Sequence, residues 1–432
     1  MTYDAIIVGA GFAGLAAARE LGQAGLKTRV IEAKDTIGGR AQSAQFAGTQ
    51  IELGGGYVHW TQPHIFSEIT RYGLTLIERP YYAATNSMRK TRFLLDGEVR
   101  DGFTPDEARG IAKAFADFVA PAKETFPRPF HPLDTNQAAK YDHLSSADRI
   151  AQMDLTPLER ATLTRTAAMQ CNNTPTEGAY IEALRWFALA NAHDETYAAS
   201  VSRFTLKEGT RHLLNAIAND ARTDIMLNTP VTHVETLEDA VQITTARETL
   251  TARRAIIATG VNVWKNIDFA PALTEAKAAL SRKELSGKGA KIYVELEGRF
   301  EDSRWSATEG PILSVLPHEV SDARSVVVLF TNPEHPFDPV SRDTVEKAMQ
   351  AFDPKARVLS ITHHDWVADV FVQGTWGNLR PGQFTNYFAE AQTPEGPLHF
   401  ATADIAHGWR GFFDGALESG IRAARAILRD VE

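Results

Sequence analysis

Apolar positions along the chain follow two rhythms. Ile6, Ile7 and Val8 form a short β-branched run without alternation, the pattern of a strand buried on both faces. Gly9, Gly11 and Gly14 follow at once, residues 15–21 are Ala-rich and helical in character, and residues 28–31 predict a second strand closing on Glu32. Strand-like runs return at 225–234, 241–245 and 254–260, then at 292–298, 311–316, 325–330 and 357–362, and finally at 398–402. From about 104 to 222 the period becomes helical, and 414–428 predicts a closing helix. Ile111, Phe115, Phe118 and Val119 recur at helical spacing, so one face there is buried. Thr104, Thr156 and Thr174 each precede a Pro and stand three residues before a Glu, which predicts three capped helix starts. The chain therefore leaves its first unit and returns to it twice.

The glycine run carries the first chemistry. In G-x-G-x-x-G spacing, Gly9 makes a tight turn, Gly11 lets backbone approach a pyrophosphate, and Gly14 allows close helix–strand packing. The helix start offers free N–H groups and a positive dipole end to phosphates. Glu32, eighteen residues beyond Gly14, is placed to accept hydrogen bonds from ribose hydroxyls. Strand, helix, second strand and terminal acid together predict dinucleotide binding. Glycines at 38–39 and 54–56 predict backbone passing close to a long, flat cofactor, with Arg40 offering charge-assisted bonds to its phosphates.

Composition narrows the partners. The chain has 432 residues, more than one ordinary core holds, and a net charge of −9, which argues against nucleic acid or an anionic membrane surface. Its single cysteine, Cys171, leaves no internal disulfide and fits a reducing cytoplasm. The longest apolar run, 5–18, contains three glycines and is too short to span a bilayer. The chain opens without a basic leader, so a soluble, cytoplasmic protein is expected.

Three further segments separate flavin from nicotinamide enzymes. E-A-K-D-T-I-G-G-R (32–40), I-E-L-G-G-G-Y (51–57) and the C-terminal F-A-T-A-D-I-A with G-F-F-D-G-A-L-E-S-G resemble the flavin amine oxidase (monoamine oxidase-like) family, in order along the chain. Residues 364–384 resemble most the bacterial 6-hydroxynicotine oxidases. The resemblance implies an α/β fold, with a discontinuous Rossmann-type FAD-binding domain (1–80, 205–285 and 370–432). A second, α+β substrate domain would comprise 81–204 and 286–369.

The resemblance also implies roles. Gly9, Gly11, Gly14, Glu32, Lys34, Gly39 and Arg40 would hold the ADP half of FAD, with Val231 meeting the adenine. Gly55, Gly56 and Tyr57 would border the isoalloxazine, Asp404 the ribityl–pyrophosphate region, and the helix from Phe413 would aim its positive end at the flavin. Lys291 matches the family lysine that reaches flavin N5 through a water; by itself it reads as a charge at a strand start. Trp376 and Phe412 match the paired aromatics that flank the substrate amine, where core packing is the plainer alternative; Phe412 replaces the usual Tyr. Gln170, with Asn172 and Asn173 as neighbours, would read the substrate ring. His59 is either pocket wall or a structural histidine. His363, His364 and Asp365 lack a second ligand cluster, so no metal is expected.

The chemistry so implied is hydride transfer from a neutral amine, a pyridine alkaloid such as a nicotine derivative, to flavin N5. The resulting iminium is hydrolysed, and dioxygen reoxidises noncovalent FAD to give peroxide. Three rivals stand beside it: a flavin desaturase of a non-amine substrate, the same oxidation with an electron-carrier protein as acceptor, and a non-catalytic scaffold like the prenyl-protein dissociation inhibitors. A homodimer stays open.

Overall fold

The computed structural model describes residues 2–83, 91–300, 304–335 and 337–431. Its first sheet is centred on Thr2–Val8, which pairs in parallel with Thr28–Ile31 on one side and Thr249–Ile257 on the other. Ile6 and Ile7 are fully buried, as their unbroken apolar run requires, and each contributes roughly 1.5–3 kcal/mol by leaving water. Asp224–Met226 extends the sheet in parallel beyond Thr28–Ile31, and Leu398–Phe400 pairs in parallel with Thr249–Ile257. Val241–Thr245 and Val231–Thr236 continue it as an antiparallel meander. Strands from the beginning, middle and end of the chain thus share one sheet, as the two returns predicted.

The helix Phe12–Gln23 lies against that sheet and against the closing helix Phe413–Val431. Two glycines set how close these elements come. A Cβ on Gly14 would lie 1.9 Å from the Gly9 oxygen, and one on Gly420 would lie 2.1 Å from the Ala13 oxygen.

A second sheet runs Val358–His363, Lys291–Glu297, Arg324–Thr331, Ile312–Val320, Arg304–Ala307, Thr91–Leu95 and Glu98–Asp101 in order. Its last two strands come from early in the chain, and the apolar pattern did not signal them. Helices Pro105–Val119, Pro157–Cys171 and Tyr180–Leu189 form the block between. Among the described residues no helix is long and apolar enough to cross a membrane.

Two local expectations are corrected. The run at 225–234 is two strands, Asp224–Met226 and Val231–Thr236, each paired with a different neighbour. Asn228 at φ 51° and Pro230, which has no N–H to give a ladder, break it. The capping boxes at Thr104 and Thr156 form as expected, whereas Thr174 starts no helix. Its hydroxyl meets Thr176 Oγ1 at 2.7 Å, its N–H donates to Asn173 Oδ1, and Glu177 pairs with Arg380 instead of capping. The next helix waits until Tyr180.

Candidate active site

Along the C-terminal ends of the central parallel strands lies an elongated cavity of about 450 Å³. It begins at the first glycine turn. Gly9 sits at φ 109°, and its neighbour Gly11 is the N-cap of Phe12–Gln23, so free backbone amides face the opening. Glu32 lines the same end. Its carboxylate accepts the Ala10 N–H at 2.7 Å and the Lys34 N–H at 2.9 Å. Burial pushes its pKa up, and these two bonds oppose that shift. Thr229, Pro230 and Val231, the break between the two strands, complete this wall.

The middle of the cavity passes Gly38, Gly39 and Arg40. Arg40 Nη1 donates to the Thr375 oxygen at 3.1 Å and Nη2 to Asp404 Oδ1 at 2.7 Å. Asp404 also accepts the Val261 N–H at 3.0 Å. It stands behind Arg40 and does not line the cavity, although it was expected beside the cofactor.

At the far end, Gly54, Gly55, Lys291, Trp376, Phe412 and Phe413 come together. A Cβ on Gly55 would stand 2.7 Å from the Phe413 ring, so only glycine lets that ring lie against the turn. Lys291 Nζ donates to the Glu52 oxygen at 2.5 Å and the Gly54 oxygen at 3.0 Å. Burial lowers its pKa to about 8; the cation of Arg79 adds to the shift and the carboxylate of Glu52 opposes it. Trp376 meets Phe330 edge-on with centroids 6.1 Å apart, and Phe412 is flanked by Trp186 at 5.0 Å and Trp409 at 5.3 Å.

Other expected site residues stand elsewhere. Lys34 does not line the cavity; its ammonium pairs with Asp369 and lies 5.3 Å from the Trp366 ring centroid. Asp369 also lies 2.8 Å from His364 Nε2. Gly14 lies outside the cavity wall and packs against the Gly9 oxygen. Gly56 packs on the Glu52 side chain, and Tyr57 meets the Tyr81 hydroxyl at 3.3 Å. Asn173 spends its amide on the Ser286 oxygen at 2.6 Å. Gln170 is buried and outside the cavity wall. His59 lies tilted against Trp60 with centroids 4.2 Å apart and shares a 2.9 Å bond with Thr61, and burial lowers its pKa to about 4.

Asn172 is the member of the 170–173 group that reaches the wall. It caps its helix at φ 50° and donates to the Gly289 oxygen at 2.9 Å and to Thr375 Oγ1 at 2.8 Å. The pattern gave no sign of Phe330, Trp366 or the strap Val370–Phe371–Val372, which also line the cavity. Trp366 is anchored by its indole N–H on the Leu53 oxygen at 3.1 Å.

A family model described as flavin containing amine oxidoreductase matches residues 12–428. The chain belongs to that family. It is an oxidoreductase of amines, and its cofactor is FAD. The glycine cradle, the acid at Glu32 and the flat Gly54–Gly55 turn suit an extended flavin dinucleotide. Over 425 residues it is 34% identical to a pseudooxynicotine dehydrogenase from Pseudomonas sp, covering 97% of this chain and 84% of that protein. It is 34% identical to a nicotine dehydrogenase from Pseudomonas putida, covering 98% and 88%. Identity is 30% to an (S)-6-hydroxynicotine oxidase from Paenarthrobacter nicotinovorans, covering 99% of each chain. A redesigned putrescine oxidase shares the fold with a TM-score of 0.87 at 22% identity over 99% of each chain. Cyclohexylamine oxidase from Brevibacterium oxydans does so at 0.80 and 22%, covering both chains fully.

Proposed function

We propose that the protein oxidises a pyridine-bearing amine of the nicotine type, held uncharged between Trp376 and Phe412. The observation that carries this is the meeting of both rings with Lys291 and the Gly54–Gly55 turn in one cavity. The names of three relatives support the substrate class. FAD, bound noncovalently, supplies acceptance of the hydride and its two electrons. Gly9, Gly11, Glu32, Gly39, Arg40 and Val231 would hold its dinucleotide half, and Gly55 and Phe413 would flank its ring. Domain limits of 1–80, 205–285 and 370–432 against 81–204 and 286–369 belong to the same reading.

The chain's own residues have three tasks. Trp376 and Phe412 present apolar faces that orient the amine and keep water out. That surrounding disfavours an ammonium, and the nearby cation of Lys291 disfavours it further, so the reactive free base is retained. Lys291, tied to two carbonyl oxygens, holds a proton donor at the flavin end of the cavity.

Dioxygen is the acceptor in this reading, with peroxide as product. A carrier protein is the second reading, favoured by the dehydrogenase names of two relatives. Both are tested by mixing the holoenzyme anaerobically with nicotine, pseudooxynicotine, 6-hydroxynicotine, putrescine and cyclohexylamine while following the flavin band. Bleaching by the pyridine amines at the highest rate is expected; bleaching by none of the five refutes the assignment. Adding oxygen to the bleached enzyme then separates the acceptors, because colour must return within a turnover if dioxygen serves.

A further inference from the structure

The helix Tyr180–Leu189 is buried along its whole length, and the mechanism above does not use it. Glu182, Arg185, Trp186 and Leu189 recur at intervals of three and four residues, so they share one face. That face meets the irregular segment 406–412, which ends on Phe412 and leads into the closing helix. Glu182 pairs with Arg410, and both side chains are 0–1% exposed. Arg185 Nη2 donates to the Ala406 oxygen at 3.1 Å, the Gly408 oxygen at 2.6 Å and the His407 oxygen. Trp186 presses edge-on against Phe412.

We propose that Glu182 and Arg410, assisted by Arg185 and Trp186, are positioning residues that set the Phe412 ring at the substrate cavity. The proposal rests on the amine reading of that cavity. Segment 406–412 forms no helix or strand; two turn bonds, from the Arg410 N–H to the Gly408 oxygen and from the Phe412 N–H to the Trp409 oxygen, hold it locally, and groups from outside grip the rest. Arg185 does this at three successive residues. The ion pair fixes Arg410, two residues beyond Gly408 and two before Phe412. A buried ion pair is a weak source of stability, since apolar residues of similar volume often fold as well. Here the pair is also incompletely satisfied: Glu182 Oε2 and Arg410 Nε and Nη1 have no hydrogen-bond partner among the described residues. What an apolar pair cannot supply is direction, and direction is what a ring facing a reacting amine needs.

The test compares wild-type holoenzyme with Glu182→Gln, the double variant Glu182→Leu/Arg410→Met, and Trp186→Phe. Measured for each are FAD content, melting temperature, visible circular dichroism of bound flavin, amine KM, and the rates of anaerobic reduction and of reoxidation. The amine is whichever of the five above bleaches wild type fastest. The double variant should keep its FAD and melt near wild type, yet reduce about ten to a hundredfold more slowly, the scale on which lost positioning acts. Reoxidation should be unchanged, and Glu182→Gln should restore part of the loss. A loaded double variant with wild-type KM and reduction rate overturns the proposal. If the double variant does not fold, Trp186→Phe decides: a raised KM or slower reduction supports positioning, and wild-type values overturn it. If no amine bleaches wild type, the amine reading has failed separately. The flavin dichroism then judges the grip, and a spectrum unchanged in every folded variant overturns it.

Discussion

Lys291 donates from its ammonium to the backbone oxygen of Glu52 at 2.5 Å, although 239 positions separate the two in sequence. One strand of the second sheet thereby ties down the glycine turn of the first unit. This sets a pH dependence. Burial lowers the lysine from 10.5 to about 8, so between those values the unfolded chain holds a proton that the folded chain has released. Stability contributed by this group therefore rises with pH from about 8 to 10.5 and is lowest below 8. Between pH 7.5 and 9.5 the gain should be about 1–2 kcal/mol. Urea unfolding of wild type and Lys291→Met at both pH values checks this, and equal slopes in the two proteins would contradict it. Lys291→Met should also keep its FAD while slowing turnover.

The aromatic walls are expected to be unequal. Trp376→Ala should depress anaerobic reduction by amines on the order of a hundredfold, through lost positioning. Phe412→Tyr should be mild, because the volume barely changes. Reduction rates should also rise with pH as the bound amine loses its proton. Flavin bleaching by all three proteins from pH 6 to 10 measures each effect; a Trp376→Ala enzyme as fast as wild type removes Trp376 from the cage.

FAD should be released by acid. Cys171 is buried, its Sγ donates to the Asn173 oxygen at 3.2 Å, and burial pushes its thiol up to about 12. At neutral pH such a thiol is not the thiolate that a covalent link requires. Trichloroacetic acid should give a colourless pellet and a yellow supernatant, and a yellow pellet would refute noncovalent binding.

Gly55→Ala should weaken FAD binding. The added carbon meets the Phe413 ring at 2.7 Å, and forcing such a contact costs about 1–3 kcal/mol. Titrating apoprotein with FAD should show roughly fivefold to a hundredfold weaker binding, since 1.4 kcal/mol is tenfold. Wild-type affinity in the variant would mean the ring can swing aside freely.

Local physics is written in the sequence. The β-branched run at 6–8, the glycine spacing after it and Glu32 fix a strand, a turn and an acid cap by near-neighbour sterics and hydrogen bonds, and these form as expected. So do the capping boxes at Thr104 and Thr156, which need only four consecutive residues. Tertiary competition decided the rest. Thr174 carries the same capping signal, but Asn173, Thr176 and Arg380 take up its partners. Lys34 stands two residues after Glu32, yet its charge is drawn to Asp369, 335 positions away, and away from the cavity. Asn172, rather than Gln170 or Asn173, reaches the wall because the helix ends there in a left-handed turn. The buried Glu182–Arg410 pair has no local signature, since neither residue's pattern shows where the other folds. Short-range geometry is specified by adjacent residues, whereas a charge's partner depends on which distant segments the fold brings within a few ångströms.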